Sequence, residues 1–471
     1  MSIDDAALSR LKQVVGARGV VEGADRDRYE HDFRRQYAGS TPLVLRPAST
    51  EEVSRVLAIC HERRIGVVPH GGNTSYCGGA TPDESGSQVV LSLERMNRVR
   101  AVDPLNDAIT VEAGCILADV QAAAERAGRL FPLSLGSEGS CQIGGNLSTN
   151  AGGTAVLRYG MMRDLVLGLE VVLADGRVLD ALRGLRKDNR GYDLKQLFIG
   201  AEGTLGVITA ATLELFAPAA SRATALCAVP VLGAAVDLLS HVRTAAGEWL
   251  TTFELMPRIA VQLATRHIPG VRDPFANAHP WYVLIELTAS RATADTGEAL
   301  ESALQKAQER AWLADAVIAT SETQRESMWK LRETIPEAQR HEGASLKHDV
   351  SVPIAVLVDF VAQAQAWVQD HVPEGVVVSY GHLGDGNLHF NVNQRSGTQA
   401  FQLQAVEQKA RRAIHDLVRE FGGSFSAEHG IGRAKVQELE RYKAGVELDL
   451  MRTLKRSLDP HGILNPGKVL R

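Results

Sequence analysis

The architecture of the first half of the chain follows from one short run of residues, Pro69-His70-Gly71-Gly72-Asn73-Thr74. It continues directly from Ile65-Gly66-Val67-Val68, a pattern that predicts a short buried strand. Glycines that leave a strand allow positive φ angles and close approach, so their backbone N–H groups can face a phosphate. Upstream, Ser49-Thr50-Glu51-Glu52 predicts a capping box that opens a helix. A helix beside a short strand favours a domain that mixes the two.

Two further glycine-rich segments extend this pattern. One runs from Gly136-Ser137-Glu138-Gly139-Ser140 through Gly144-Gly145-Asn146 to Asn150-Ala151-Gly152-Gly153, and the other covers residues 200–206. A tight turn in a loop-rich domain explains any one segment equally well. The dinucleotide fingerprint GxGxxG is absent, since the nearest match, at residues 384–389, ends in His389. The pattern therefore predicts an anion-binding half that is not a Rossmann fold.

Composition excludes several classes of protein. The chain has 471 residues, enough for two or three domains, with 45% hydrophobic and 23% charged residues. A net charge of −5, from 51 basic and 56 acidic residues, speaks against nucleic-acid binding. No apolar run approaches the ~18 residues of a spanning helix, and the acidic N-terminus lacks the apolar region of a secretory signal. Five scattered cysteines without a CxxC pair speak against a disulfide framework. We expect a cytoplasmic protein.

The glycine-rich character stops near Ala217-Pro218-Ala219-Ala220. Beyond it, helices predicted at about 231–246, 294–313, 355–370 and 400–421 alternate with strands such as 281–287 and 376–380. We therefore predict a first domain at 1–218, a second at 219–430, and a C-terminal segment, 431–471, that returns to the first.

A hairpin in the second half brings chemistry-bearing residues together. Asp385-Gly386 lies between two strand-like runs, which is typical of a two-residue hairpin loop. With that loop, His382 lies opposite His389 and Tyr380 opposite Asn391. Because side chains alternate along a strand, all four project from one face, with opposed Cβ atoms ~5 Å apart. Two imidazoles at that distance can share a divalent ion.

A second cluster, Ser426-Ala427-Glu428-His429-Gly430-Ile431-Gly432, offers a carboxylate and another imidazole. Two histidines and a glutamate with open positions form the ligand pattern of a catalytic zinc site. The alternative for an isolated histidine is a hydrogen-bonded structural role. The combination favours the metal.

Several strings in one order carry a resemblance to a known family. Besides the segments above, they are Lys187-Asp188-Asn189-Arg190-Gly191-Tyr192-Asp193-Leu194, residues 200–206 and Asn465-Pro466-Gly467-Lys468. From about residue 40 to its end, the chain resembles the FAD-binding type 4 oxidoreductases of the vanillyl-alcohol oxidase superfamily. It is most similar to their D-2-hydroxy acid dehydrogenases, those for D-2-hydroxyglutarate and D-lactate.

The resemblance implies an α+β fold. A two-subdomain FAD-binding domain of the vanillyl-alcohol oxidase type would be joined by an α+β substrate (cap) domain with an antiparallel sheet. It also implies FAD contacts at Pro69, His70, Gly71, Gly72, Asn73, Thr74, Leu135, Gly136, Ser140, Gly144, Gly145, Asn150, Ala151, Gly152, Gly153, Glu202, Gly203, Gly206, Ile208 and Asn465.

Roles within this set also follow from the resemblance. The loop 71–74 would hold the pyrophosphate, the glycines at 144, 145, 152 and 153 would line the flavin, and Asn465 would return to its ring. Glu202, Gly203 and Ile208 would lie near the adenine-ribose side. Some members carry flavin covalently on a histidine where this chain has Asn73, so we expect non-covalent FAD.

For the second half, the resemblance implies that His382, His389 and Glu428 bind zinc or manganese. His429 would be the catalytic base and contact the substrate together with Asn391. Two residues that would otherwise be surface cations, Arg332 and Lys347, would bind the distal carboxylate of a dicarboxylic hydroxy acid, arginine bidentately.

One position departs from the family pattern. Where the hydroxyglutarate dehydrogenases have a threonine in this clamp, the chain has Pro336, preceded by Ile335. Proline offers neither a hydroxyl nor an N–H group. D-Malate and D-lactate therefore stay open as substrates beside D-2-hydroxyglutarate.

We expect oxidation of a D-2-hydroxy acid to the 2-oxo acid, D-2-hydroxyglutarate first and D-malate next. The alternative within the family is a D-lactate or glycolate dehydrogenase. Outside it, a non-catalytic flavin electron-transfer subunit and a metal-dependent hydrolase are rivals. Electron-transfer flavoprotein, quinone or cytochrome could accept the electrons, and the family suggests a homodimer.

Overall fold

The computed structural model describes residues 3–372, 374–395, 400–443 and 445–471, and these form two compact units. The first unit consists of the residues up to Gly153, Gly160–Pro218 and Glu428–Arg471. The second consists of Thr154–Tyr159 and Ala219–Ala427. Residues 428–430, which the sequence assigns to the second domain, thus belong to the first unit. Within the described ranges, no helix has the length and apolar character needed to cross a membrane.

A mixed sheet carries the first glycine-rich loop. The strands Val44–Leu45 and Gly66–His70 both run parallel to Gln88–Ser92. The helix Thr50–Arg63 connects the first two, as its sequence predicts. Its Ser49 hydroxyl accepts a hydrogen bond from the N–H of Glu52, which confirms the predicted N-cap, although the Glu52 carboxylate accepts from Ala48. A further strand, Val20–Val21, pairs antiparallel with Val44–Leu45.

The second sheet of this unit is antiparallel. Its order is Val99–Asp103, Ala108–Glu112, Val207–Glu214, Val166–Val172 and Val178–Ala181. The last two strands form a hairpin whose turn contains Gly176, with a φ of +86°. The helices of the unit are Asp5–Val15, Asp27–Glu30, Thr50–Arg63, Leu117–Arg126, Ile143–Ser148, Lys195–Phe198, Val436–Tyr442 and Val446–Leu458.

The second unit is built around an antiparallel sheet. Its order is Asp315–Ile318, Ser221–Val229, Trp281–Ala289, Leu250–Pro257, Gly375–His382, Asn387–Gln394 and Ser345–Leu346, and Asp349–Ser351 also pairs with Asn387–Gln394. The helices of the unit are Val156–Tyr159, Leu232–Ala246, Arg258–His267, Thr296–Glu309, Glu322–Glu333, Ile335–Arg340, Leu357–His371 and Ala400–Glu420. The four helices predicted from periodicity are therefore confirmed within a few residues.

Strict alternation divides this sheet into two faces. On Trp281–Ala289, Val283 and Ile285 pack in one apolar cluster while Tyr282 and Leu284 pack in another. The first cluster contains the helices Leu232–Ala246, Thr296–Glu309 and Leu357–His371, and the second contains Arg258–His267 and Glu322–Glu333. Helices on both sides of an antiparallel sheet, beside the mixed and antiparallel sheets of the first unit, make an α+β fold, as expected.

Candidate active site

The hairpin that carries His382 and His389 has a wider turn than the sequence suggests. Tyr380 pairs with His389 and His382 pairs with Asn387, so the predicted direct opposition of the two histidines is wrong by two residues. The reason is the turn itself, a 3-10 turn at Leu383–Asp385 closed by Gly386, whose φ is +78°. Because the shift is an even number of residues, the side chains keep the predicted face.

The two histidines are diagonal neighbours on that face. Their ring centroids are 5.5 Å apart in an edge-to-face arrangement, and the ring of Tyr380 lies 5.1 Å from that of His389. His382 is 8% exposed. Diagonal cross-strand neighbours remain within reach of one another, so the structure brings these two predicted metal ligands together.

A buried carboxylate orients His382. Glu254 faces it from the neighbouring strand Leu250–Pro257 and is 1% exposed. The Nδ1 atom of His382 lies 2.6 Å from Oε1 of Glu254. Burial alone would raise the pKa of Glu254, but its contacts with His382 and Arg332 hold this pKa at about 2. The carboxylate is therefore ionised, and a carboxylate bonded to one imidazole nitrogen is typical of a metal-binding histidine.

Arg332 binds the other oxygen of the same carboxylate. Its Nε donates to Oε2 of Glu254 at 2.8 Å, and its Nη2 lies 2.7 Å from that oxygen. Its Cζ lies 4.9 Å from the centre of the Tyr380 ring, where a guanidinium is attracted by the aromatic face. Arg332 belongs to the helix Glu322–Glu333 and is 6% exposed, so it is not the solvated cation that an isolated arginine would be.

Asn391 lies on the same face and bonds to a helix. Its Nδ2 donates to Oε1 of Gln339 at 3.0 Å, and both residues are buried. Gln339 belongs to the helix Ile335–Arg340, which has Pro336 in its first turn. The departure at Pro336 is thus a helix start, where a missing N–H is tolerated.

Further polar groups near this site lie on the segment 345–351. Lys347 is half-buried between the strands Ser345–Leu346 and Asp349–Ser351. The carboxylate of Asp349 accepts a hydrogen bond from Nδ2 of Asn387 at 3.0 Å, and it lies 3.8 Å from Nδ1 of His389. A second carboxylate is therefore within ion-pair distance of a predicted metal ligand.

Glu428 and His429 lie in the first unit. Oε1 of Glu428 accepts a hydrogen bond from the N–H of Gly153 at 3.0 Å. The ring of His429 stands edge-on to Tyr76, with centroids 4.8 Å apart. The participation of Glu428 in a metal site with His382 and His389 remains a prediction.

Glu202 holds the backbone that follows His429. Its carboxylate accepts hydrogen bonds from the N–H groups of Ile431 and Gly432, each at 2.7 Å. Burial raises the pKa of Glu202, and these two N–H groups oppose the rise. Its side chain thus fixes a backbone segment, a role that the sequence does not indicate for a residue predicted at the adenine-ribose side of FAD.

The predicted loop at residues 71–74 packs against the segment 140–145. A Cβ on Gly72 would lie 2.3 Å from the carbonyl oxygen of Ser140, and one on Gly71 would lie 3.6 Å from the nitrogen of Gly145. Only glycine fits the first contact. Pro69 and His70 end the strand Gly66–His70, and Asn73 has a φ of +53°.

The second glycine-rich segment begins in a turn and enters a short helix. Leu135, Gly136 and Ser140 precede the helix Ile143–Ser148, which contains Gly144 and Gly145. The N–H of Gly144 donates to the carbonyl of Ala113 at 2.7 Å, whereas a Cβ on Gly145 would meet no atom within 4 Å. The first N–H group of this helix, that of Ile143, likewise donates to a backbone carbonyl, that of Cys115, at 2.9 Å.

The residues 150–153 follow this helix. Asn150 has a φ of +50° and its Oδ1 accepts a hydrogen bond from the N–H of Arg163; Ala151 is buried beside it. Gly152 leads to Gly153, where a Cβ would lie 2.1 Å from the carbonyl oxygen of Ser134. The backbone here is too tightly packed for a larger residue at 153.

Three other predicted residues pack within the first unit. A Cβ on Gly203 would lie 2.9 Å from Pro69, and one on Gly206 would lie 2.6 Å from Val171. Ile208 lies in the strand Val207–Glu214 and is buried. Close packing by itself therefore accounts for glycine at 206.

The C-terminal segment returns to the strand Gly66–His70 of this unit. The N–H of Asn465 donates to the carbonyl of Val67, and its Nδ2 donates to the carbonyls of Gly79 and Glu202 at 3.0 and 2.8 Å. Asn465 therefore ties together the strand Gly66–His70 and the segment around Glu202.

Comparison with family models assigns both halves. Residues 41–182 match the model described as FAD binding domain, and residues 218–469 match that described as FAD linked oxidases, C-terminal domain.

The chain belongs to the FAD-linked oxidase family.

Named relatives of this FAD-linked oxidase span nearly all of it. It is 40% identical to D-2-hydroxyglutarate dehydrogenase, mitochondrial, of Arabidopsis thaliana, over 100% of this chain and 82% of that protein. It is 41% identical to the Bos taurus protein of the same name, over 100% of this chain and 84% of that one. It is 37% identical to D-2-hydroxyglutarate dehydrogenase of Xanthomonas citri pv. viticola, over 99% of this chain and 97% of that protein. The chain is therefore an FAD-dependent oxidoreductase.

Solved structures agree on the fold. A p-cresol methylhydroxylase with bound substrate superposes with a TM-score of 0.77 at 16% identity, covering 99% of this chain and 96% of that one. An alkyldihydroxyacetonephosphate synthase superposes with a TM-score of 0.76 at 18% identity, covering 99% and 85%. The first confirms a fold of the vanillyl-alcohol oxidase type.

The first unit of this FAD-linked oxidase fits a polar cofactor. Among its described residues, buried polar atoms without a hydrogen-bond partner include both ring nitrogens of His70, Oε1 of Gln142 and Oδ1 of Asn465. Buried polar atoms are normally paired, so these are suited to a bound polar ligand. His70 directly precedes the segment 71–74, and Gln142 lies within the segment 140–145 that packs against it.

Sequence reasoning missed Glu254 and Gln339. Glu254 lies in Thr251-Thr252-Phe253-Glu254-Leu255-Met256, where one carboxylate interrupts a strand whose neighbours are buried. A charge in such a run is buried only when it is paired, which is the signal that could have found it. Gln339 carries no comparable signal, because a glutamine in a short helix is ordinarily exposed.

Proposed function

We propose that this enzyme oxidises a D-2-hydroxy acid to the 2-oxo acid, with D-2-hydroxyglutarate as its expected substrate. The observation that carries the proposal is the pair formed by His382 and Arg332 on the two oxygens of Glu254. It sets a histidine suited to a metal beside an arginine suited to a carboxylate. The names of the relatives from Arabidopsis, Bos and Xanthomonas support the same substrate.

The donor set on the sheet face fits a divalent ion. With Nδ1 of His382 engaged by Glu254, Nε2 is the nitrogen that would coordinate the metal. His389 would supply a second imidazole 5.5 Å away, centre to centre, and Glu428 would supply the third ligand. Zinc accepts such nitrogen and oxygen ligands, and manganese accepts overlapping ones.

The steps of the reaction are divided among the metal ion, FAD and the protein. A divalent ion, when bound, lowers the pKa of the substrate's 2-hydroxyl group. FAD, when bound, accepts the hydride from the α-carbon. His429 takes the hydroxyl proton as general base, since imidazole titrates in the right range. The hydroxyl thus loses its proton to the protein and the carbon loses its hydride to the cofactor, which leaves the 2-oxo acid.

Two cationic side chains would bind the carboxylate at the far end of the substrate. Arg332 would bind the distal carboxylate through the part of its guanidinium that Glu254 does not hold, and Lys347 would add a second positive charge. Asn391 and His429 would contact the reacting end. Holding the α-carbon in place raises the rate because less orientational freedom is lost in the reaction step.

Other members of the substrate class remain candidates. Pro336 begins a helix where the hydroxyglutarate pattern has a threonine, which keeps D-malate as a second substrate and D-lactate or glycolate as alternatives. A non-catalytic flavin electron-transfer subunit is the remaining alternative, and the retained His382, His389 and His429 argue against it.

Further properties belong to the same proposal. FAD would be non-covalent, because Asn73 is an amide whose Nδ2 donates to the carbonyl of His31. Electrons would pass to an electron-transfer flavoprotein, a quinone or a cytochrome. We also propose a cytoplasmic location, a homodimer and no nucleic-acid partner, the last from the net charge of −5.

Anaerobic flavin reduction tests the proposal directly. We expect D-2-hydroxyglutarate to bleach the flavin band fastest in a panel of D- and L-2-hydroxy acids of different length, with the L-enantiomers inactive. Reduction by D-lactate at the same kcat/KM would assign the alternative. No reduction by any member of the panel would contradict the proposal.

A further inference from the structure

Glu254 is enclosed in the sheet between two functional groups and has no assigned role. It lies on the same sheet face as His382, because Phe253 and Leu255 on either side of it pack into the opposite apolar cluster. At 1% exposure, a carboxylate there is expensive unless it is fully paired. Each oxygen of this buried carboxylate therefore needs a partner.

Each oxygen of Glu254 serves one partner. Oε1 lies 2.6 Å from Nδ1 of His382, and Oε2 accepts from Nε of Arg332 at 2.8 Å while lying 2.7 Å from its Nη2. The contact with His382 requires a proton on Nδ1, which leaves the lone pair of the neutral ring on Nε2. The two contacts with Arg332 fix the plane of its guanidinium, which also lies over Tyr380.

We propose that Glu254 is a positioning residue that couples metal binding at His382 to recognition of the substrate's far carboxylate at Arg332. This inference rests on the proposed function. One carboxylate sets the tautomer of the metal ligand and the orientation of the arginine, so neither group can move without disturbing the other. It also balances the arginine's charge, so the arginine can be buried beside a cation.

Glu254→Gln keeps the shape of the side chain but removes its charge and one of its two hydrogen-bond acceptors. Its amide has one accepting and one donating end. If the oxygen faces His382, the NH2 group meets the donors of Arg332; if the oxygen faces Arg332, His382 must lose its Nδ1 proton and places a proton on Nε2 instead. Either arrangement disrupts one of the two partners.

A matched control exists on the neighbouring strand. Glu286 is 5% exposed and its carboxylate bonds Arg325, Trp329 and Thr224, but not a histidine. Glu286→Gln therefore removes a buried, arginine-bound carboxylate from the same sheet without touching His382 or Arg332. Any general effect of such a loss on stability will appear in both variants.

The experiment measures zinc affinity on FAD-loaded protein by competition with a chromophoric chelator. We expect Glu254→Gln to bind Zn2+ about 10- to 100-fold more weakly than wild type, the usual effect of losing a carboxylate behind a ligand histidine. Glu286→Gln should bind as wild type does. The KM for D-2-hydroxyglutarate should also rise more than that for D-lactate, because only the former has a far carboxylate. If Glu254→Gln is insoluble, Glu254→Asp is measured against the same control.

The outcomes are distinct. Wild-type zinc affinity in the position-254 variant, or equal losses in both variants, overturns this inference alone. A wild-type protein that binds no metal overturns the proposed function and this inference with it.

Discussion

Glu202 and Gly432 are joined by a hydrogen bond that spans 230 residues of sequence, in which the N–H of Gly432 donates to the Glu202 carboxylate at 2.7 Å. Ile431 donates to the second oxygen. Glu202 itself has a φ of +51°, and its carbonyl accepts from Asn465. Three distant parts of the first unit therefore meet at one residue, and the segment that begins with Glu428 and His429 is held by it.

Replacing Glu202 should loosen this segment. We expect Glu202→Ala to lower the free energy of unfolding by roughly 2–4 kcal/mol, because two backbone N–H groups lose their side-chain acceptor. Glu202→Gln, which keeps one acceptor, should lose less. Thermal unfolding of the FAD-loaded protein measures both, with exposed Glu84→Ala as the control. A melting temperature of Glu202→Ala equal to that of Glu84→Ala would contradict this prediction.

The sequence predicted which face of the two strands carries the site residues, but it did not predict the length of the turn between them. Alternation along 376–380 and 388–392 was enough to put His382, His389 and Asn391 on one face, because that pattern depends only on the strands. The register depended on the turn, where Asp385-Gly386 is equally compatible with two loop lengths. The error there was an even number of residues, so the predicted grouping survived it.

Long-range polar pairing could not be predicted at all. Nothing local connects Glu254 with Arg332, 78 residues away, or Glu202 with residues 431–432. Such contacts follow from the tertiary fold, and a sequence reports them only indirectly, as a charge among buried neighbours. The hydrogen bond from the N–H of Gly144 to the carbonyl of Ala113 is another contact of this kind.

The turn glycine Gly386 should be essential to the histidine pair. Its φ is +78°, and a Cβ there would lie 2.2 Å from the carbonyl oxygen of Val352. We expect Gly386→Ala to destabilise the protein by more than about 1 kcal/mol and to weaken Zn2+ binding, because the strand ends that carry His382 and His389 must shift. Thermal unfolding and chelator competition measure the two effects.

Gly233→Ala is the matched control for that change. Gly233 lies in the helix Leu232–Ala246, and a Cβ there would meet no atom within 4 Å. Alanine is the better helix former, so this variant should be as stable as wild type or slightly more so. A Gly386→Ala protein that behaves like Gly233→Ala would show that the turn does not need a left-handed residue.

His70 should make stability depend on pH below neutrality. It is 7% exposed beside the ring of Tyr29, and burial lowers its pKa from 6.5 to about 4. Between these pH values the unfolded chain binds the proton and the folded protein does not. The contribution of His70 to the free energy of unfolding is therefore fully present above pH 6.5. It falls as the pH is lowered towards 4, by at most about 3 kcal/mol.

Unfolding measured from pH 7.5 to 4.5 tests this dependence. We expect His70→Phe to reduce the loss of stability on acidification, because phenylalanine cannot take up the proton. His371→Gln, a change at an exposed histidine, should retain the wild-type slope. The same slope in all three proteins would contradict this prediction, because it would show that the pKa of His70 is the same in the folded and unfolded states.

Removal of the metal ion should leave the flavin bound but slow its reduction by the substrate. The predicted flavin contacts lie in the first unit and the histidine pair in the second, so a chelator should strip the ion and leave the ~450 nm band of the cofactor unchanged. We expect anaerobic reduction by D-2-hydroxyglutarate to slow on the order of 100-fold, since the 2-hydroxyl then keeps its ordinary high pKa and His429 cannot deprotonate it efficiently. Added Zn2+ or Mn2+ should restore the rate in wild type and in exposed His461→Gln, but not in His389→Ala. Full-speed reduction in stripped wild-type protein would show that His429 needs no metal ion to take the proton.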